Sequence, residues 1–108
     1  MLRTKALVLS FFFMVVFSFG CTATIGYLNE GVPAYGATAS SQVKIYSARD
    51  LDREVIEIGY VASHNTQQPT GDFMKEQIRK KAAAMGADAV VAFRLWGNMA
   101  EGIAVKFK

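Results

Sequence analysis

The one thiol and the one imidazole of this 108-residue chain, the side chains first looked to for soft-metal or nucleophilic chemistry, stand far apart, at Cys21 and His64. A soft-metal site takes several thiolates or imidazoles. His64, in the polar run HNTQQPTG, is therefore a metal candidate only where symmetry brings several copies together, with Asp or Glu from neighbouring subunits. Ser63 precedes His64 directly, but a nucleophile and its base need a third, orienting acid, and none stands at a recognisable spacing. Asp50 and Asp52 are interleaved with Arg49 and Arg53 in SARDLDR, the pattern of a solvated, self-compensated loop. No glycine-rich phosphate loop is present. These residue types point away from an enzyme and call for no cofactor.

Cys21 has a different context. Arg3 and Lys5 precede a charge-free run, Ala6 to Gly20, that includes Phe11, Phe12, Phe13, Val15, Val16, Phe17 and Phe19. As a helix, that run would span about 22 Å, against a hydrocarbon core of about 30 Å. It reads as a secretory signal over residues 1–20 rather than a permanent span. The sequence Ser18-Phe19-Gly20-Cys21 at its end resembles a bacterial lipoprotein signal, in which the cysteine is acylated and becomes the new amino terminus. Small residues at Ser18 and Gly20 also suit ordinary signal peptidase, so both enzymes would cut the same bond. Lipidation accounts for an unpaired cysteine in an exported chain; the other fate is a free or intermolecularly paired thiol. Thr22 after the cysteine, by resemblance to enteric lipoproteins, implies the outer membrane, with the domain in the periplasm.

The formal charge is +3, but Arg3 and Lys5 belong to the signal. From residue 21 on, ten basic residues face nine acidic ones, which argues against nucleic-acid binding. Thr22 to Gln42, TATIGYLNEGVPAYGATASSQ, shows neither helical nor strand period and is expected to be a lipid-attached tether reaching about 25 Å. Its Tyr27, Leu28, Val32 and Tyr35 could instead dock on the domain or on a partner.

Residues 43–108 form the expected folded block. Val43 to Tyr46 alternates as a short strand, and Glu54 to Ser63 as a second, with Ile56, Ile58, Tyr60 and Ala62 on the better core face. A helix is expected from about Asp72 to Met85, capped by Thr70 or Asp72. Met74, Ile78, Ala82 and Met85 form its apolar stripe, and Gly86 its left-handed stop. Ala87 to Trp96 is then the central strand, and Gly102 to Lys108 its hairpin partner. A two-residue turn at Gly97-Asn98 sets Arg94 opposite Glu101. A three-residue turn through Met99 aligns Val91, Phe93 and Leu95 with Ile103, Val105 and Phe107 on one face. Six buried side chains, at about 1.5 to 3 kcal/mol each, outweigh one exposed ion pair, so the three-residue turn is expected.

The resulting α+β architecture is ββαββ: a four-stranded, mainly antiparallel sheet with one helix on one face. The other face would carry Val55, Val61, Val90, Ala92 and Trp96 among Glu57 and Arg94. Uncovered, that is more apolar surface than a small monomer normally shows. It implies a homo-oligomer or a protein partner, with Val61, Val90, Ala92 and above all Trp96 as the contact surface.

The strand ending Ile-Gly-Tyr-Val, the helix ending KKAAAMGADAVV and the final Gly-Ile-Ala-Val-Lys resemble two related groups of small bacterial domains. One is the YbjQ type, which carries a heavy-metal-binding label and forms ring-like homo-oligomers. The other is the outer-membrane lipoprotein sensor of the Rcs envelope-stress pathway. The resemblance covers residues 43–108 and implies an envelope-associated α+β domain; the cysteines that form the Rcs sensor's disulfides are absent from this block. A non-enzymatic, lipid-anchored interaction module is the expectation. An oligomeric metal-binding protein using His64 is the alternative, and a hydrolase the third reading.

Overall fold

A computed structural model describes residues 22–66 and 70–108; the signal-like segment and Cys21 lie outside the described residues. The chain has an α+β fold in which one α-helix covers one face of a five-stranded mixed sheet. The strands are β1 (Thr22–Leu28), β2 (Lys44–Ile45), β3 (Val55–Asn65), β4 (Ala89–Trp96) and β5 (Met99–Phe107), with helix α1 (Gly71–Ala84) between β3 and β4. Their order in the sheet is β1-β3-β5-β4-β2, with every neighbouring pair antiparallel except β2 and β4.

Helix α1 forms where the apolar period of 3.6 meets a cap at each end. Thr70 Oγ1 accepts a hydrogen bond from the Phe73 amide at 3.3 Å, and Asp72 lies in the positive first turn. Met74, Ile78, Ala82 and Ala83 are buried on the sheet. Gly86, at φ +88°, ends the helix in the left-handed region, and a Cβ there would also lie 2.6 Å from Tyr35 Cβ. The sheet meets the helix with small residues, Gly59, Ala100, Gly102 and Ala104, which lets the two layers approach closely.

Two bulges govern which side chains face α1. Between Glu57 and Gly59 the β3–β5 register slips, and between Val91 and Arg94 the β4–β5 register slips again. The first inserts one residue in β3 and the second one in β4, which reverses the in/out alternation from there on. At the second bulge Ala92 takes φ +53°, its amide donates to Ala48 O at 2.9 Å, and the Phe93 amide donates to Tyr46 O at 3.0 Å. The chain just after β2 thus satisfies the donors that the bulge turns away from β5.

Several sequence-based expectations are corrected here. The sheet has five strands, not four, and is mixed, because residues expected as a tether supply edge strand β1 and β2 joins β4 in parallel. After β1 the chain stays on the domain. Val32 and Tyr35 pack on the core, the Thr38 amide donates to Ala83 O at 2.8 Å, and Thr38 Oγ1 donates to Ala87 O at 2.6 Å. The central strand is β5 rather than β4. The hairpin has the two-residue turn, pairing Trp96 with Met99 and Arg94 with Glu101. The apolar alignment is met only in part: the bulge sets Val91 opposite Ile103, on the side of Val105 and Phe107, while Phe93 joins the core beneath α1. Parity decides the rest: Ile58, Val61, Val90 and Phe93 join the core beneath α1, while Tyr60 and Ala62 point the other way.

Candidate interaction face

The sheet face away from α1 has two halves. Below the bulges, Ala89, Val91 and Val105 form a small second core, over which Tyr46 and Leu51 pack. Above them the face is open. Its side chains follow from register: Ile25 lies opposite Ala62, Tyr27 opposite Tyr60, Ala62 opposite Glu101, His64 opposite Met99, and Met99 opposite Trp96. Ile25 (56%), Tyr27 (57%) and Trp96 (47%) are among the most exposed large apolar residues of the described chain.

At the centre stands a polar contact. The Tyr60 hydroxyl donates to Glu101 Oε2 at 2.5 Å, and the Tyr27 ring leans on Tyr60 with centroids 5.5 Å apart. Tyr60 is pushed up to about 12, first by that hydrogen bond, then by partial burial and by the charge of Glu101. Beside this pair a cleft of about 330 Å³ opens between the sheet and the chain at Ser47 to Arg49, with Ala92, Arg94 and Glu101 on its walls. Arg49 is held by Glu57 at 3.0 Å, whereas Arg94 is exposed and has no ion-pair partner among the described residues. The face combines aromatic area with a carboxylate, a phenol and a guanidinium. Such a set offers apolar contact together with directed hydrogen bonds. A second cleft, beside Lys44 and Tyr46, has its Arg79 committed to Val43 O at 3.0 Å and to Glu76 at 2.6 Å.

Of the residues expected to form a partner surface, Trp96 and half-buried Ala92 lie on the open face. Val61 and Val90 do not: both are completely buried against α1, because the two bulges reverse the alternation on which that expectation rested. His64 is exposed, with Nε2 3.1 Å from Asn98 Nδ2. Among the described residues no group of three His, Cys, Asp or Glu is placed to hold a metal ion. Cys21 lies outside the described residues. Sequence reasoning missed Ile25, Tyr27, Tyr60 and Glu101 as parts of one surface. A signal was present in TATIGYL, where Ala23, Ile25 and Tyr27 alternate with Thr22, Thr24 and Gly26.

No protein-family model matches the chain, and no curated protein matches it. Among solved structures, the Francisella virulence factor FvfA in its orthorhombic crystal form is similar in fold. It has a TM-score of 0.56 and 18% identity over 78% of this chain and 97% of that one.

Proposed function

We propose that this protein is a non-enzymatic interaction module of the bacterial cell envelope, anchored to the outer membrane by lipid on Cys21 and binding a protein partner in the periplasm. The observation that carries the reading is the open sheet face. Ile25, Tyr27 and Tyr60 present apolar area to solvent around the Tyr60–Glu101 contact and Arg94, while the core of the same sheet's other face is covered by α1. Exposed aromatic clusters rimmed by charge are the hallmark of binding patches rather than of idle surface. The lipoprotein-like signal and its resemblance to YbjQ-type and Rcs-sensor domains support the envelope placement. No helix among the described residues is long and apolar enough to cross a membrane.

Two measurements test it. Palmitate labelling that disappears in Cys21→Ser, with processing blocked by globomycin, supports the anchor; unlabelled protein released from the membrane refutes it. A photo-crosslinker at position 27, carried by the full chain in cells, should capture one partner, and Arg94→Glu should abolish the adduct. Capture at position 27 that is indifferent to Arg94 would remove the open face from the account.

A further inference from the structure

Charge is distributed unevenly along the strand axis. One end of the sheet carries Asp52, Arg53, Glu54, Asp88, Lys106 and Lys108, joined by ion pairs such as Lys106–Asp88 at 3.8 Å and Lys108–Glu54 at 3.9 Å. Among the described residues the opposite end is built from Thr22–Ile25, His64–Thr66, Thr70–Gly71 and Leu95–Ala100, none of which contains Asp, Glu, Lys or Arg; Asp72, Arg94 and Glu101 border them in sequence. The structure brings them together. Thr22 pairs with Asn65, whose Nδ2 donates to Thr22 Oγ1 at 2.5 Å and whose amide donates to Asn98 O at 2.9 Å. Leu95 Cδ2 packs so near Gly71 that a Cβ there would lie 3.0 Å from it. Phe73 (39%), Leu95 (43%), Trp96 (47%) and Met99 (37%) are all exposed at this end.

We infer that this charge-poor end is a membrane-contact surface, seated in the interfacial layer of a lipid bilayer with Trp96 as its anchor. The inference rests on the proposed acylation of Cys21. β1 begins at Thr22, so an acylated Cys21 lies about 3.8 Å away in Cα distance, with no spacer to lift the domain. The end that carries the hairpin tip is therefore the end held at the headgroups. A tryptophan ring suits that layer, with its apolar body toward the acyl chains and its N–H toward water. Leu95, Phe73 and Met99 add apolar contact, and the hairpin segment Leu95–Ala100, which contains no charged residue, spares the cost of desolvating one. The partner-binding centre at Tyr27, Tyr60 and Glu101 then stands clear of the lipid, and Trp96 marks the boundary between the two surfaces.

Trp96 is the single tryptophan of the chain, so intrinsic fluorescence reports on it alone. The full, processed chain is reconstituted in vesicles of phosphatidylethanolamine and phosphatidylglycerol, with or without acyl-chain-brominated lipid. Flotation reads the anchor and fluorescence reads the tip. The expected result is co-flotation, a blue shift of Trp96 emission and its quenching by brominated lipid. The double variant Trp96→Phe, Tyr27→Trp should float equally while keeping a water-exposed, unquenched emission. Flotation without quenching of Trp96 overturns the inference and leaves the anchor standing. Equal quenching at positions 27 and 96 overturns it too, because the whole face would then lie on lipid. Failure to float overturns anchor and inference together.

Discussion

The two faces of one sheet are built from opposite materials. Beneath α1 the sheet presents Gly59, Ala100, Gly102 and Ala104, with Ile58, Val61, Val90 and Phe93 filling the rest, and its hydrophobic members are almost wholly buried. On the other side stand Ile25, Tyr27, Tyr60, Arg94, Glu101 and Trp96, large side chains, all but Ile25 ending in polar groups and several of them half in water. Small residues on a sheet let another layer of the same chain come close; large amphipathic ones keep an area ready for a layer from elsewhere. One face of the sheet is thus used for folding, and much of the other is left open to solvent, where the proposed contact would form.

That contrast can be tested by substitution, beginning with the face used for folding. Ile78→Ala beneath the helix should cost about 2 to 5 kcal/mol, read as a lower urea midpoint at unchanged slope. Gly102→Ala should cost about 1 to 3 kcal/mol, because its new Cβ would stand 2.3 Å from Val90 Cγ1 in a close-packed layer. At the boundary between the faces, Ala92→Gly should stabilise by up to about 1 kcal/mol, since it relieves a left-handed residue whose conformation glycine adopts freely. On the open face, Ile25→Ser or Tyr27→Ser should change stability by less than about 0.5 kcal/mol in the same assay while abolishing partner capture. A large stability loss there would mean that the open face belongs to the core after all.

A pH titration sharpens the comparison at Tyr60. Its folded-state value of about 12 lies above the ordinary 10, so the folded state holds a proton that the unfolded chain gives up first. The contribution is fully present below pH 10 and is lost as pH rises toward 12. Unfolding free energy should fall across that window, and the fall should flatten in Tyr60→Phe and in Glu101→Gln.

Elements were legible in the sequence where the pattern ran long enough to average out exceptions. Helix α1 lies within a residue or two of the expected span because four apolar residues, a threonine cap and a glycine stop all agree. The strand after residue 54 and the hairpin around Gly97-Asn98 were legible for a similar reason. Faces were not, because side-chain parity depends on every preceding residue being in register, and one bulge reverses all that follow. Ile58 gives no sign of being the inserted residue in EVIEIGYV. At the second bulge the left-handed position is held by Ala92, where glycine would have announced it, while the informative glycine, Gly102, sits across the ladder. The open face was hidden by the same two insertions: Val61 and Val90 were expected there, and Tyr60 took their place. Strand β1 escaped notice because Thr22, Thr24 and Gly26, which lie toward α1, are too small to make the alternation stand out.

The edge position of β1 has a mechanical consequence. Thr22 begins the strand at one end of the sheet, and Lys108 leaves β5 at the other, with β1 bound to the rest through seven consecutive residue pairs with β3. A load applied between the amino terminus and the far end of the domain therefore runs along the strands. Under such a load the β1–β3 hydrogen bonds, which lie across the strands, resist sliding as a group instead of parting one by one. The edge strand thus acts as a shear clamp: a pull along the strands would strain it all at once, and pulling from the side would peel it open from Thr22.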